Sequence, residues 1–123
     1  MQLQESGEMY LETILILSRK NPTVRSIDIV DYMGFSKPSV SRAMSKLKTD
    51  SYIQMDKNGS IVLTDAGRSI AEKIYERHTM LTDFLIRLGV DEATAATDAC
   101  KMEHDISDQT FLAMKQHLLH FMK

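Results

Sequence analysis

Cys100, Glu103 and His104 stand at positions i, i+3 and i+4. On a helix that spacing puts a thiol, a carboxylate and an imidazole on one face, where they can converge on a single ion. The mixed set suits iron(II), cobalt(II) or zinc, whereas an all-oxygen set would favour manganese or magnesium. Met9 and Glu12, three residues apart, and His78 are of the right types to complete such a shell. The same spacing fits a buried cysteine beside a capping or surface pair, with Met9 in a core and His78 on a surface. No nucleophile paired with a base is evident, and clustered ligands would leave little room for a substrate, so the chain is not expected to be an enzyme.

The elements that must position these side chains are legible from periodicity. Met9, Leu11, Ile14, Leu15 and Leu17 give residues 6–19 the spacing of an amphipathic helix that Asn21-Pro22 ends. Ile27, Ile29, Val30 and Met33 predict a short helix over about 25–33, stopped by Gly34. A further helix follows, with Ser36 as N-cap, Pro38 in the first turn, and Val40, Met44 and Leu47 on one apolar face. Tyr52–Met55 and Ser60–Leu63 flank Asp56-Lys57-Asn58-Gly59, an Asn-Gly hairpin signal. A long helix from Thr64 to about Leu88, a helix over Asp91–His104 and a last one from Asp108 with Ser107 as cap complete the chain.

This order predicts a mainly α protein: a winged helix-turn-helix DNA-binding domain over 1–65, then a helical domain over 66–123 that shares the long helix with it. Met9 and Glu12 of the first domain could complete a metal shell. Charge supports the division. Residues 19–60 carry eight basic and four acidic side chains, a local +4, although the whole chain is −2 and the remainder therefore −6. Such asymmetry is expected of a DNA-contacting segment joined to an acidic regulatory one. Arg25, Ser36, Lys37, Pro38, Ser39, Ser41 and Arg42 lie at or near the start of the helix-turn-helix elements, where side chains reach base edges and phosphates. Lys46, Lys48 and the wing-tip Lys57 suit phosphates. A structural helix pair with capping serines and solvated lysines is the competing reading.

A single cysteine cannot form an intrachain disulfide, and no apolar run approaches the roughly 18 residues of a membrane span. The first five residues have neither the basic nor the apolar region of a secretory signal, so a cytoplasmic location is expected.

Glu8-Met9-Tyr10-Leu11-Glu12-Thr13-Ile14, Ser36-Lys37-Pro38-Ser39-Val40-Ser41, Leu63-Thr64-Asp65-Ala66-Gly67-Arg68, Arg77-His78 and Cys100-Lys101-Met102-Glu103-His104-Asp105-Ile106-Ser107-Asp108 follow one another in an order that resembles the diphtheria toxin repressor family of iron- and manganese-responsive regulators. The resemblance runs from about residue 6 to residue 110. It implies that Met9, Cys100, Glu103 and His104 match the activating-site ligands of the iron-responsive branch. Glu12 and His78 match ligands of the manganese-responsive branch, in which the positions of Met9 and Cys100 would carry carboxylates. The chain is thus a hybrid. An ancillary site of the iron-type branch would need a carboxylate four residues after His78 and a histidine four before Cys100, where Thr82 and Ala96 stand; Asp83 and Asp98 are the nearby substitutes. Ending at Lys123, the chain resembles the short two-domain type of the manganese transport regulators, without an SH3-like domain.

The resemblance further implies that 66–123 is a helical dimerisation and metal-binding domain, to whose metal site Met9 and Glu12 contribute. The homodimer would be held by the last three helices, with Phe111, Leu112, Leu118, Leu119 and Phe121 apolar enough for that interface or for the protomer core. His117 and His120 are given no role beyond surface or helix C-terminal charge. The expected function is repression of metal-homeostasis genes: iron(II) or manganese(II) ties the first helix to the dimerisation helices and favours the dimer that fits a palindromic operator. The alternative is a winged-helix regulator of a small organic ligand or of thiol oxidation at Cys100.

Overall fold

The computed structural model describes residues 5–121, the last by its backbone alone. Among these residues are six helices and one two-stranded sheet, in the order α1 Glu5–Lys20, α2 Ser26–Met33, α3 Lys37–Thr49, β1 Ile53–Met55, β2 Ile61–Leu63, α4 Asp65–Arg87, α5 Glu92–Met102 and α6 Asp108–Phe121. They form two compact units, Met1–Glu72 and Lys73–Lys123, with the division falling inside α4.

In the first unit α1 buries Leu11, Ile14 and Leu15 completely and packs against α2, α3 and β2. Its acidic first turn and basic last turn match the helix dipole. Gly34 ends α2 at φ +73°, its N–H returning to the Val30 carbonyl, a backbone value that an L side chain takes only at a cost. α3 starts on Ser36, whose hydroxyl accepts from the Ser39 N–H at 3.3 Å, and its face of Val40, Met44 and Leu47 is buried. The helix-turn-helix is therefore held by its apolar face, leaving the polar face outward.

Beyond α3 the chain closes with Tyr52 N–H bonded to the Leu47 carbonyl and Ser51 N–H to that of Lys48, with Ser51 at φ +66°. This is the left-handed helix ending that glycine usually supplies. The hairpin pairs Ile53 with Leu63 and Met55 with Ile61; Ile53 and Ile61 point inward, and the Gln54–Val62 pair faces out. Its tip differs from a two-residue Asn-Gly turn. Gly59 alone takes a left-handed value, φ +81°, and bonds back to the Asp56 carbonyl. The Asp56 carboxylate accepts from the Asn58 and Ser60 N–H groups, both at 2.9 Å, which spreads the turn over a longer loop. The Val24 carbonyl accepts from the Ile61 N–H at 2.7 Å, stitching the chain after α1 to the wing.

In the second unit Ile74, Leu81, Ala95, Ala99, Phe111 and Leu118 are buried. Asp91 caps α5 by accepting from the Thr94 N–H, and Ser107 caps α6 by accepting from that of Thr110. Of the apolar residues expected along α6, Phe111 and Leu118 are buried, whereas Leu112 and Leu119 are about half exposed. The Phe121 side chain lies outside the described residues.

Candidate metal centre

Cys100 lies on α5, but α5 stops at Met102, two residues before the expected end. Glu103 is its C-cap, and residues 103–105 form a turn. The three candidates therefore do not all share a helix face. The reason is visible in the hydrogen bonds: Glu103 N–H still donates to the Ala99 carbonyl, but Asp105 and Ile106 both bond back to Met102, so the ladder ends there. The Glu103 carbonyl instead accepts from Nη1 of Arg77 at 3.0 Å, and the same nitrogen donates to the Ile106 carbonyl at 2.8 Å.

The turn delivers the Glu103 side chain to a site with no solvent exposure. Its Oε2 lies 2.9 Å from Nδ1 of His78 on α4, and its Oε1 lies 3.4 Å from Nε2 of His104, whose side chain is also buried. Oε1 makes no hydrogen bond among the described residues. A carboxylate fully removed from water must have its charge balanced. Here it faces imidazoles, while the adjacent guanidinium is engaged with backbone carbonyls. Carboxylate and imidazole are ligands for a divalent transition metal, and a buried carboxylate with a ring beside each oxygen, one oxygen having no hydrogen bond among the described residues, is what such an ion would satisfy. The residues fit the group.

Within the second unit Glu103 thus meets His78 through one carboxylate oxygen and His104 through the other, with Cys100 half-buried one helical turn earlier. Met9 and Glu12 stand on α1 in the first unit, Met9 half-buried and Glu12 buried. At the expected ancillary positions Thr82 donates its hydroxyl to the His78 carbonyl at 2.7 Å, Asp83 pairs with Arg87, and Asp98 is exposed. His117 meets Phe84 edge to face, ring centroids 6.1 Å apart.

The candidate DNA contacts all belong to the first unit. Arg25, Ser36, Lys37, Pro38, Ser41, Arg42 and Lys46 are exposed and Ser39 is half-buried. Arg25 begins α2 with its N–H donated to the Asp28 carboxylate, and Ser36 and Ser39 also bond hydroxyl to hydroxyl at 2.8 Å. These serines are therefore already engaged in starting α3. Lys57 stands exposed in the wing loop.

Arg77 escaped assignment in the sequence. A single arginine in a polar stretch of a long helix carries no sign that it will be 5% exposed. Asp108, its third partner, is likewise given no role at the site by the sequence.

Residues 2–61 match the family model of the iron dependent repressor N-terminal DNA binding domain, and residues 64–123 that of the iron dependent repressor metal binding and dimerisation domain. The chain is 34% identical over 106 residues to a transcriptional regulator MntR of Escherichia coli, covering 86% of this chain and 68% of the relative. It is 31% identical over 115 residues to an HTH-type transcriptional regulator of Methanocaldococcus jannaschii, with 92% of each covered. Among solved structures it resembles the manganese regulator SloR, at 27% identity and TM-score 0.81 over 96% of this chain and 54% of that one. It also resembles a manganese-dependent transcriptional repressor in complex with manganese, at 25% identity and TM-score 0.83 over 91% of this chain and 52% of that one. The chain spans about half the length of these solved regulators. No helix among the described residues is long and apolar enough to cross a membrane.

Proposed function

The chain belongs to the iron-dependent repressor family of metal-responsive transcriptional regulators, and we propose that it is a repressor that binds palindromic operator DNA as a homodimer when loaded with manganese(II) or iron(II). The family consists of transcriptional repressors, not enzymes. The observation that carries the reading is the Glu103 carboxylate: fully buried, flanked by two imidazoles, with one oxygen that makes no hydrogen bond among the described residues.

In this reading residues 1–65 bind DNA and 66–123 dimerise and hold the metal. His78, Cys100, Glu103 and His104 are ligands, with Met9 and Glu12 of α1 completing the set as the family resemblance implies. The bound ion supplies positive charge that neutralises Glu103 and a fixed set of bonds. It biases the chain toward the DNA-competent form only as far as it binds that form more tightly. Arg25, Lys37, Ser41, Arg42, Lys46 and Lys57 contact DNA, with Ser36, Pro38 and Ser39 setting the N-terminus of the recognition helix α3. The genes controlled are those of metal homeostasis, and the protein acts in the cytoplasm.

The test is anaerobic fluorescence anisotropy on palindromic duplexes selected from a random library by the manganese-loaded protein. Wild type and Glu103→Ala are titrated with manganese(II) or iron(II), and wild type is repeated with chelator. Metal-dependent binding that the substitution abolishes supports the reading, and sedimentation should give a dimer. Equal binding with chelator present overturns the metal switch.

A further inference from the structure

Arg77 and His78 are consecutive on α4, and they hold the two ends of one residue. His78 meets the side chain of Glu103, while Arg77 grips its carbonyl. Arg77 is 5% exposed, and its guanidinium reaches three acceptors: the carbonyls of Glu103 and Ile106 through Nη1, and the Asp108 carboxylate through Nη2. Its Cζ also stands 5.3 Å from the centre of the Phe111 ring. Asp108 is shared with Lys73, one helical turn earlier on α4, at 3.1 Å.

The two carbonyls span the turn that carries Glu103 and His104 away from α5. After a helix ends, its last carbonyls have no intrahelical donor, and a buried one must find another. One guanidinium here serves both edges of the turn and the first residue of α6. Its planar fork does this in a fixed geometry that a lysine ammonium, a single point donor, cannot reproduce.

We propose that Arg77 is a positioning residue of the metal centre: by clamping the 103–106 turn to α4 and, through Asp108, to the start of α6, it fixes where Glu103 and His104 present their ligand atoms to His78. The inference rests on the reading of those three residues as ligands. It assigns Arg77 no contact with the ion. Outer-shell partners of this kind change metal affinity by roughly 10- to 100-fold when removed. They also alter coordination geometry, which a merely stabilising residue would leave alone.

The experiment uses the full chain as Arg77→Lys, Asp108→Ala and Glu103→Ala. Manganese(II) and cobalt(II) affinities are measured calorimetrically, the visible spectrum of the cobalt(II) form is recorded, and unfolding of the metal-free proteins is followed in parallel. Arg77→Lys is expected to lose about tenfold or more in affinity and to shift the cobalt bands. Asp108→Ala, which removes one of the three acceptors, should give a smaller change of the same kind. If Arg77→Lys does not fold, Asp108→Ala decides by the same readouts. Wild-type affinity and spectrum in the folded variants, with Glu103→Ala abolishing binding, overturn the positioning role alone. Wild-type binding by Glu103→Ala overturns the ligand assignment and the positioning role together.

Discussion

His78 Nδ1 lies 2.9 Å from Oε2 of Glu103, and the carboxylate that it meets has no solvent exposure. Keeping that group charged without a cation is costly, whereas removing the charge by an isosteric amide keeps the volume. In Glu103→Gln the metal-free protein should unfold at the wild-type temperature or above it. The rise in unfolding temperature that manganese(II) gives wild type should vanish, since a ligand stabilises only the form that it binds. Thermal unfolding with and without metal checks both. A large loss of stability in the metal-free variant would make Glu103 a structural residue.

Cys100, half-buried on α5, is the proposed soft donor of the set. Cys100→Asp should move the preference from cobalt(II), as a stand-in for iron(II), towards manganese(II), because a hard oxygen replaces a thiolate. Even outer-shell changes act on the scale of roughly 10- to 100-fold, so the ratio of the two affinities should move by at least about tenfold. Competition titration of the two ions measures it, and an unchanged ratio would remove Cys100 from the shell.

A side-chain carbon on Gly67 would run into the Tyr52 carbonyl oxygen, so the first turn of α4 approaches Tyr52 this closely only because residue 67 has none. Gly67→Ala should cost about 2 kcal/mol or more, with hydrogen exchange accelerated in the wing. At Gly34 a β-carbon meets nothing within 4 Å, and the objection is φ alone. Gly34→Ala should therefore cost less, about 1 kcal/mol. Denaturant unfolding orders the two variants, and the reverse order would contradict the packing argument.

Ser51 sits at φ +66° after α3. Its carbonyl accepts from the Thr64 hydroxyl at 2.7 Å, so the backbone there is held at a value an L residue resists. Ser51→Gly should raise stability by about 0.5–1 kcal/mol, the relief of left-handed strain exceeding glycine's entropic cost. An unfolding temperature at or below wild type would show the serine side chain to be needed.

The Asp108 carboxyl is held below the usual carboxylate range, first by Lys73 and then by Arg77. A depressed folded value means that its contribution is present above the unfolded value near 3.8 and is lost as pH falls through the folded one. Asp108→Asn should thus be destabilised most near neutral pH and converge on wild type in acid. Because the group is exposed, solvent screens the effect and the difference is modest. Unfolding curves at pH 7 and pH 3 test the convergence.

Local signals are self-contained, which is why much of the chain was legible before folding. Ser36 caps α3 because a hydroxyl three residues ahead of an N–H can do so in any context, and Val40, Met44 and Leu47 must share a helix face. Gly34 and Gly89 mark helix ends by backbone freedom alone. Residue types and spacing also singled out Cys100, Glu103, His104 and His78. The tertiary structure decided what depends on groups distant in sequence. The helix bearing Cys100 stops before Glu103, and the Glu103 carbonyl left free there is taken by Arg77, 26 residues earlier. Pattern alone can say that an arginine lies on a helix; only packing can bury it, give it three acceptors and make one turn answer to two helices.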